Sequence, residues 1–193
     1  MNLRKIVFAA AVVACVSVAA NAEVHPNGIG LRFGGWSLWG SEINYQLGMG
    51  EANRLEIGIG WSGGEGWEYY YYPPYNRDVR VWTTYSSFGA FGAYQWHWNI
   101  SPSAARGGFN WYAGPGAGVG VSSKKAMYYP ENTYGHNFDK IGVSIDVGGQ
   151  IGIEYDFNVL GAPILLDIDS RPTINLPSGG IGLNIALAVR YTF

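Results

Sequence analysis

From Ile181 to Phe193 the chain keeps two chemistries on alternate residues. Ile181, Leu183, Ile185, Leu187, Val189, Tyr191 and Phe193 form one series; Gly182, Asn184, Ala186, Ala188, Arg190 and Thr192 form the other. In an extended strand successive side chains point to opposite faces, so this segment has one wholly apolar face and one small or polar face. A helix would need apolar residues three and four apart, which this series does not supply. The segment is a strand whose apolar face must be turned away from water.

The pattern recurs along the chain. Ile29, Leu31 and Phe33 alternate with Gly30, Arg32 and Gly34; Ile43, Tyr45, Leu47 and Met49 with Asn44, Gln46 and Gly48; Leu55, Ile57, Ile59 and Trp61 with Glu56, Gly58 and Gly60. A fourth strand is predicted over Thr84 to Trp98, with Phe88, Ala90, Tyr94, Trp96 and Trp98 on one face, and a fifth over Phe109 to Val121. Between Ile141 and Phe157 the odd positions are apolar except Gly149, while Asp146, Gln150, Glu154 and Asp156 fall between them. Ile164, Leu166 and Ile168 against Asp167, Asp169 and Arg171 make the seventh strand, and the terminal segment the eighth. Gly50 to Arg54 and Asn158 to Ala162 read as short turns at one end; Gly63 to Thr83 and Ser122 to Asp139 read as long loops at the other. His97 to Gly108 is long for a turn, and Trp36 to Ser41 short for a loop.

Composition and targeting bear on which face meets water. Charged residues are 13% of the chain, against about 25% in soluble domains, and aromatic residues reach 16%. Few charges with many glycines and aromatics suit a barrel with an apolar exterior. Residues 1–22 read as a secretory signal: Arg4 and Lys5, the apolar Ile6 to Val18, then Ala20-Asn21-Ala22 before Glu23. Cys15 after Val12-Val13-Ala14 is a competing lipoprotein-type site. The remaining residues, 23–193, are expected to form the barrel. They hold no cysteine, which excludes a disulfide framework, a thiol nucleophile and a Cys-based metal site. A mildly acidic chain without a basic run is a poor nucleic-acid binder. No cofactor is expected.

The ending Tyr191-Thr192-Phe193, with an export signal at the other end of the chain, resembles the C-terminal strand of bacterial outer-membrane β-barrels, whose last aromatic residue is read by the insertion machinery. The resemblance to small OmpA- and OmpX-like barrels covers the whole of 23–193. Glu154 to Leu176 followed by the terminal strand is also similar to small barrels of Bacteroidota-like bacteria. These resemblances imply an all-β, eight-stranded antiparallel up-and-down transmembrane β-barrel in the outer membrane of a Gram-negative-type bacterium. They also imply outer-membrane lipid and the barrel-assembly machinery as partners, with Tyr191 and Phe193 as the membrane-insertion signal. A soluble lipocalin-like barrel is the structural rival, and it would turn the charged face outward.

The polar face carries Arg32, Glu56, Asp146, Glu154, Asp167, Asp169, Arg171 and Arg190, joined by Glu42, Gln150 and Asn184. Eight strands enclose a space that side chains can fill, and buried charges must pair, so a salt-bridged plug is expected. A narrow small-solute channel is the alternative. The aromatic run Trp67, Tyr69, Tyr70, Tyr71, Tyr72 and Tyr75, stiffened by Pro73-Pro74 in a long outer loop, is either an interfacial belt or a contact surface for a glycan or protein. Barrel lipid A deacylases use a His-x-Ser motif, and barrel palmitoyltransferases a His and Ser near the outer rim. The histidines here are His25, His97 and His136, and neither His97 nor His136 is set in that motif. Gly58 to Gly63 matches Gly-x-Gly-x-x-Gly, but Glu65-Gly66-Trp67 follows with no helix to receive a pyrophosphate. The expected role is structural, adhesive or ligand-contacting, without catalysis; a lipid-modifying enzyme is the remote alternative.

Overall fold

A strand may end its ladder at an edge in water, but in hydrocarbon each unpaired N–H or C=O costs several kcal/mol. The computed structural model describes residues 27–34, 40–50, 52–72, 77–100, 108–128 and 136–193. Its strands are β1 (Asn27–Phe33), β2 (Ser41–Gly48), β3 (Asn53–Tyr72), β4 (Arg77–Asn99), β5 (Phe109–Tyr128), β6 (His136–Asp156), β7 (Ile164–Asn175) and β8 (Ile181–Thr192). They run antiparallel in sequence order round a closed barrel. Closure is made by β1 on β8, from Gly28 opposite Thr192 to Phe33 opposite Leu187, and Phe193 N donates to Asn27 O at 3.1 Å. A 3-10 turn, Phe157–Leu160, links β6 to β7. It is capped by the Asp156 carboxylate and ended by Gly161 in the left-handed region (φ 84°).

The register sets the barrel's dimensions. Following directly opposed residues from Thr192 leads through Gly28, Gln46, Glu56, Ala93, Gly116, Gly148 and Thr173 and back to β8 at Gly182, ten residues earlier. That stagger over eight strands tilts them by about 40° and gives a backbone radius of about 8 Å. Lumen glycines make room for long neighbours. A Cβ on Gly116 would lie 2.5 Å from the Phe91 ring, and one on Gly152 2.6 Å from the Tyr112 ring.

The apolar series lies outside. Ile141, Val143, Ile145, Val147, Ile151 and Ile153 are exposed, while Gln150 and Glu154 are buried and Asp146 is half-buried on the inward face. A soluble barrel would have the opposite arrangement. Aromatic rings form a girdle at the end where β8 finishes: Tyr94 on Trp96, Trp98 on Trp111, Phe109 on Tyr155, and Tyr155 on Phe157 at centroid distances of 4.3–5.0 Å. Tyr191 and Phe193 continue it.

Two long loops expected at the far end are strands instead. β3 continues to Tyr72 and β4 begins at Arg77, paired residue for residue down to Tyr72 opposite Arg77. Likewise β5 runs to Tyr128 and β6 starts at His136, so most of 122–139 is ladder. The signal was lost because these residues stand above the apolar band. Their outward face carries Glu65, Thr84, Lys125 and Asp139, while Val81, Thr83 and Ala126 stay buried on the inner face, so hydrophobic alternation fades while backbone pairing continues. β3 to β6 thus form a tall ribbon, and β1, β2, β7 and β8 a low wall. Residues 1–26, including the expected signal and Cys15, lie outside the described residues.

Single cysteines at Ile145 or Ile151 are expected to react with a lipid-soluble maleimide in the reconstituted protein, and cysteines at Gln150 or Glu154 to stay unlabelled. The reverse pattern would turn the faces round.

Candidate functional site

The lumen is built from side chains that alternate with the lipid-facing series on every strand. Buried in it are Arg32, Arg54, Arg171 and Arg190 with Glu42, Glu56, Glu154, Asp167 and Asp169. At the girdle end Arg54 donates to Glu154 at 2.8 Å and to the Gln46 amide oxygen at 3.2 Å. Glu154 also accepts from Asn110 at 3.3 Å.

Glu56 is the hub of the next layer. Its carboxylate accepts from Gln46 (2.9 Å), Gln95 (3.0 Å), Gln150 (3.3 Å), Arg171 (2.7 Å) and Arg190 (2.9 Å). Arg190 also pairs with Asp167, which accepts from the Tyr112 hydroxyl at 3.3 Å. Further along the axis Arg171 forks onto Glu42 at 2.7 and 2.9 Å and lies 4.2 Å from the Phe91 ring centroid. Arg32 Nε donates to Asp169 at 2.9 Å. Above this layer a cavity of about 200 Å³ is lined by Phe91, Asp146, Arg171, Thr173 and Asn184.

Seven of the eight expected network residues thus meet in a connected set. Asp146 stands apart, accepting from Asn175 at 3.1 Å. Arg54 joins the set from a position that the sequence places at the end of the Gly50 to Arg54 turn. Its parity was the available signal, since it lies two residues from Glu56 and on the same face. Gln46, Gln95 and Tyr112 are neutral members beside Gln150 and Asn110, and polar residues in the same alternation announce them equally.

His97 is buried in the lumen, its ring 5.2 Å from that of Tyr112 and its Nε2 3.5 Å from Glu154. It makes no hydrogen bond to a serine among the described residues. His136 opens β6 opposite Tyr128, not in a loop, and His25 lies outside the described residues. No group of His, Cys, Asp and Glu suited to a metal occurs among the described residues.

Of the aromatic run, Trp67 and Tyr69 to Tyr72 are strand, not loop. Trp67 and Tyr69 project from the outward face of β3, 48% and 73% exposed. Trp67 meets Trp82 of β4 edge-on at 5.0 Å, and Arg80 lies 4.5 Å from the Trp67 ring centroid. Tyr70, Tyr71 and Tyr72 sit on β3 opposite Val79, Asp78 and Arg77, while Tyr75 lies outside the described residues. On the ribbon's other face Lys124 donates to Glu68 at 2.7 Å.

No family model matches the chain, and no curated protein does. The resemblance of residues 154–176 to small barrels of Bacteroidota-like bacteria therefore has no support. Among solved structures, the crystal structure of Neisserial surface protein A is similar at 11% identity and a TM-score of 0.40, covering 86% of this chain and 93% of that one. The eight-stranded fold stands on this chain's own strand pairing.

Replacing Glu56 by Ala leaves Arg171 without one of its carboxylates and removes an anion from Arg190. Breaking such a buried pair costs about 3–5 kcal/mol, expected as a lower urea midpoint for the folded band on gels. In planar bilayers the intact protein is expected to pass no sizeable steady current. Stable, uniform unitary openings would favour the conducting alternative.

Proposed function

We propose that this protein is an integral outer-membrane β-barrel that serves envelope structure and surface contact without catalysis. One observation carries the reading: the closed sheet is inside out by the standards of a soluble domain. Ile57, Ile59, Ile151, Ile168 and Leu187 face outward and are 49–57% exposed, while Arg32, Glu42, Glu56 and Glu154 are 0% exposed. Hydrocarbon outside is the environment in which that inversion is favourable, because a charge facing lipid at midplane costs about 2–4 kcal/mol. Closed barrels of this kind are outer-membrane architectures.

The interior supports a structural role. Its guanidiniums are engaged by carboxylates across several strands, which ties the wall together and fills the lumen. His97 is fully buried beside Glu154 and Tyr112. The surface role belongs to the tall ribbon with Trp67, Tyr69 and the tyrosines that follow, a contact face for a glycan or protein. Tyr191 and Phe193 supply the insertion signal to the barrel-assembly machinery. Their rings lie outward on β8, where they can be read before the barrel closes.

Expression in a Gram-negative host, followed by fractionation, is expected to place a heat-modifiable band in the outer membrane. Recovery in the soluble periplasm would overturn the reading. Phe193→Ala is expected to lower the folded yield in cells severalfold and to leave the unfolding midpoint of the recovered barrel unchanged. Equal yield would remove Tyr191 and Phe193 from the insertion role.

A further inference from the structure

Past the Glu56 layer the bore empties. The inward residues of β3 to β6 fall in ladder rows, and the row that reaches the cavity holds Gly58, Phe91, Gly118 and Asp146. Two residues further along each strand stand Gly60, Gly89, Gly120 and Ser144, and beyond them Ser62, Ser87, Ser122 and Gly142. Side chains this small leave an approach from the ribbon end to a floor made by Arg171 and Phe91, beneath which the salt-bridged plug fills the lumen. Asp146 of β6, Thr173 of β7 and Asn184 of β8 wall the cavity, and the exposed Gly182 leaves its β8 side open.

Two polar atoms of this cavity have no partner among the described residues. Arg171 is 4% exposed and engages Glu42 and Glu56 through its terminal nitrogens, yet its Nε–H donates to nothing. Asp146 accepts from Asn175 through Oδ1, and its buried Oδ2 accepts from nothing. One cavity thus offers both a donor and an acceptor. Charge decides what can use the two together. In the layer below, Arg32, Arg171 and Arg190 meet Glu42, Glu56, Asp167 and Asp169, so three cations serve four anions before Asp146 adds a fifth. A buried surplus of anion is costly until a positive charge joins it. The lysines of the ribbon's inner face do not supply that charge. Lys124 is paired with Glu68, and Lys140 lies six residues from Asp146 along β6, about 20 Å at the strand rise and beyond the screening length. A carboxylate or phosphate would satisfy Arg171 Nε but enlarge the surplus. A bare metal ion would reduce the surplus but face the Nε–H with a second cation, and no metal-ligating group occurs among the described residues. An ammonium with a neutral oxygen close by answers both atoms, since its N–H groups donate and its oxygen accepts.

We propose that this cavity binds a small organic cation, a primary ammonium that carries a neutral hydroxyl or carbonyl oxygen. Its ammonium donates to Asp146 Oδ2, and its oxygen accepts from Arg171 Nε–H. The site goes beyond envelope structure and surface contact, and it requires only the closed barrel. The isotope-labelled protein in lipid nanodiscs would be titrated with ethanolammonium, ethylammonium or sodium chloride at constant ionic strength, and backbone amide NMR shifts followed. Saturable shifts at Thr173, Gly182 and Asn184 are expected with ethanolammonium. Ethylammonium, which lacks the oxygen, is expected to bind about tenfold more weakly, and sodium more weakly still. Asp146→Asn keeps an amide oxygen for Asn175 and lies outside the connected plug, so the barrel is expected to fold and to lose ethanolammonium affinity by about tenfold or more. Equal binding of the two ammonium ions would overturn the donor-and-acceptor assignment, a comparison that needs no variant. Binding that survives Asp146→Asn, or no saturable shift with any of the three salts, would overturn the site and leave the cavity to water.

Discussion

The pairing of β1 with β8 is the constraint on which the rest depends. Without it, two strands would present open ladders to hydrocarbon, and nothing there could satisfy them. With it, the stagger of ten residues round the ring sets a radius of about 8 Å. That radius leaves an interior wide enough for one layer of long side chains meeting from opposite walls. Arg171 on β7 reaching Glu42 on β2, and Arg54 on β3 reaching Glu154 on β6, are direct consequences.

A lumen of this width forces its charges into company. Isolated buried ions would be prohibitive, and each guanidinium here answers to a carboxylate within a few ångströms. Glu56 is central because it sits near the start of β3, where Arg171 and Arg190 converge from β7 and β8 and three glutamine amides supply the remaining donors. Glycine placement is the complement of this crowding. Gly58 lies under Glu42 and Gly152 under Tyr112, so each long side chain crosses the lumen over a neighbour that has none.

Outside the hydrocarbon the rules relax. The ladder of β3 to β6 keeps every register pair up to Tyr72 opposite Arg77, but its faces no longer need to differ in polarity. That is why Gly63-Gly64 and Gly66 read as loop when they lie within a strand-built ribbon. The charged residues on this ribbon are equally uninformative in sequence. Glu65 and Lys125 gain meaning only from the register that sets them in one ladder row through Thr84.

The residues alone determined the strand count and which side chains share a face, because both follow from a strict period of two. They set Arg32, Glu56, Glu154, Asp167, Asp169, Arg171 and Arg190 on one polar face, which a membrane barrel turns inward and a soluble barrel outward. Tertiary structure alone decided the partners, because pairing across the lumen depends on the stagger of the ring, which no single strand encodes. It also decided the height of the ribbon, since strand length beyond the membrane is set by backbone hydrogen bonds between neighbours, and those leave no apolar periodicity in the chain.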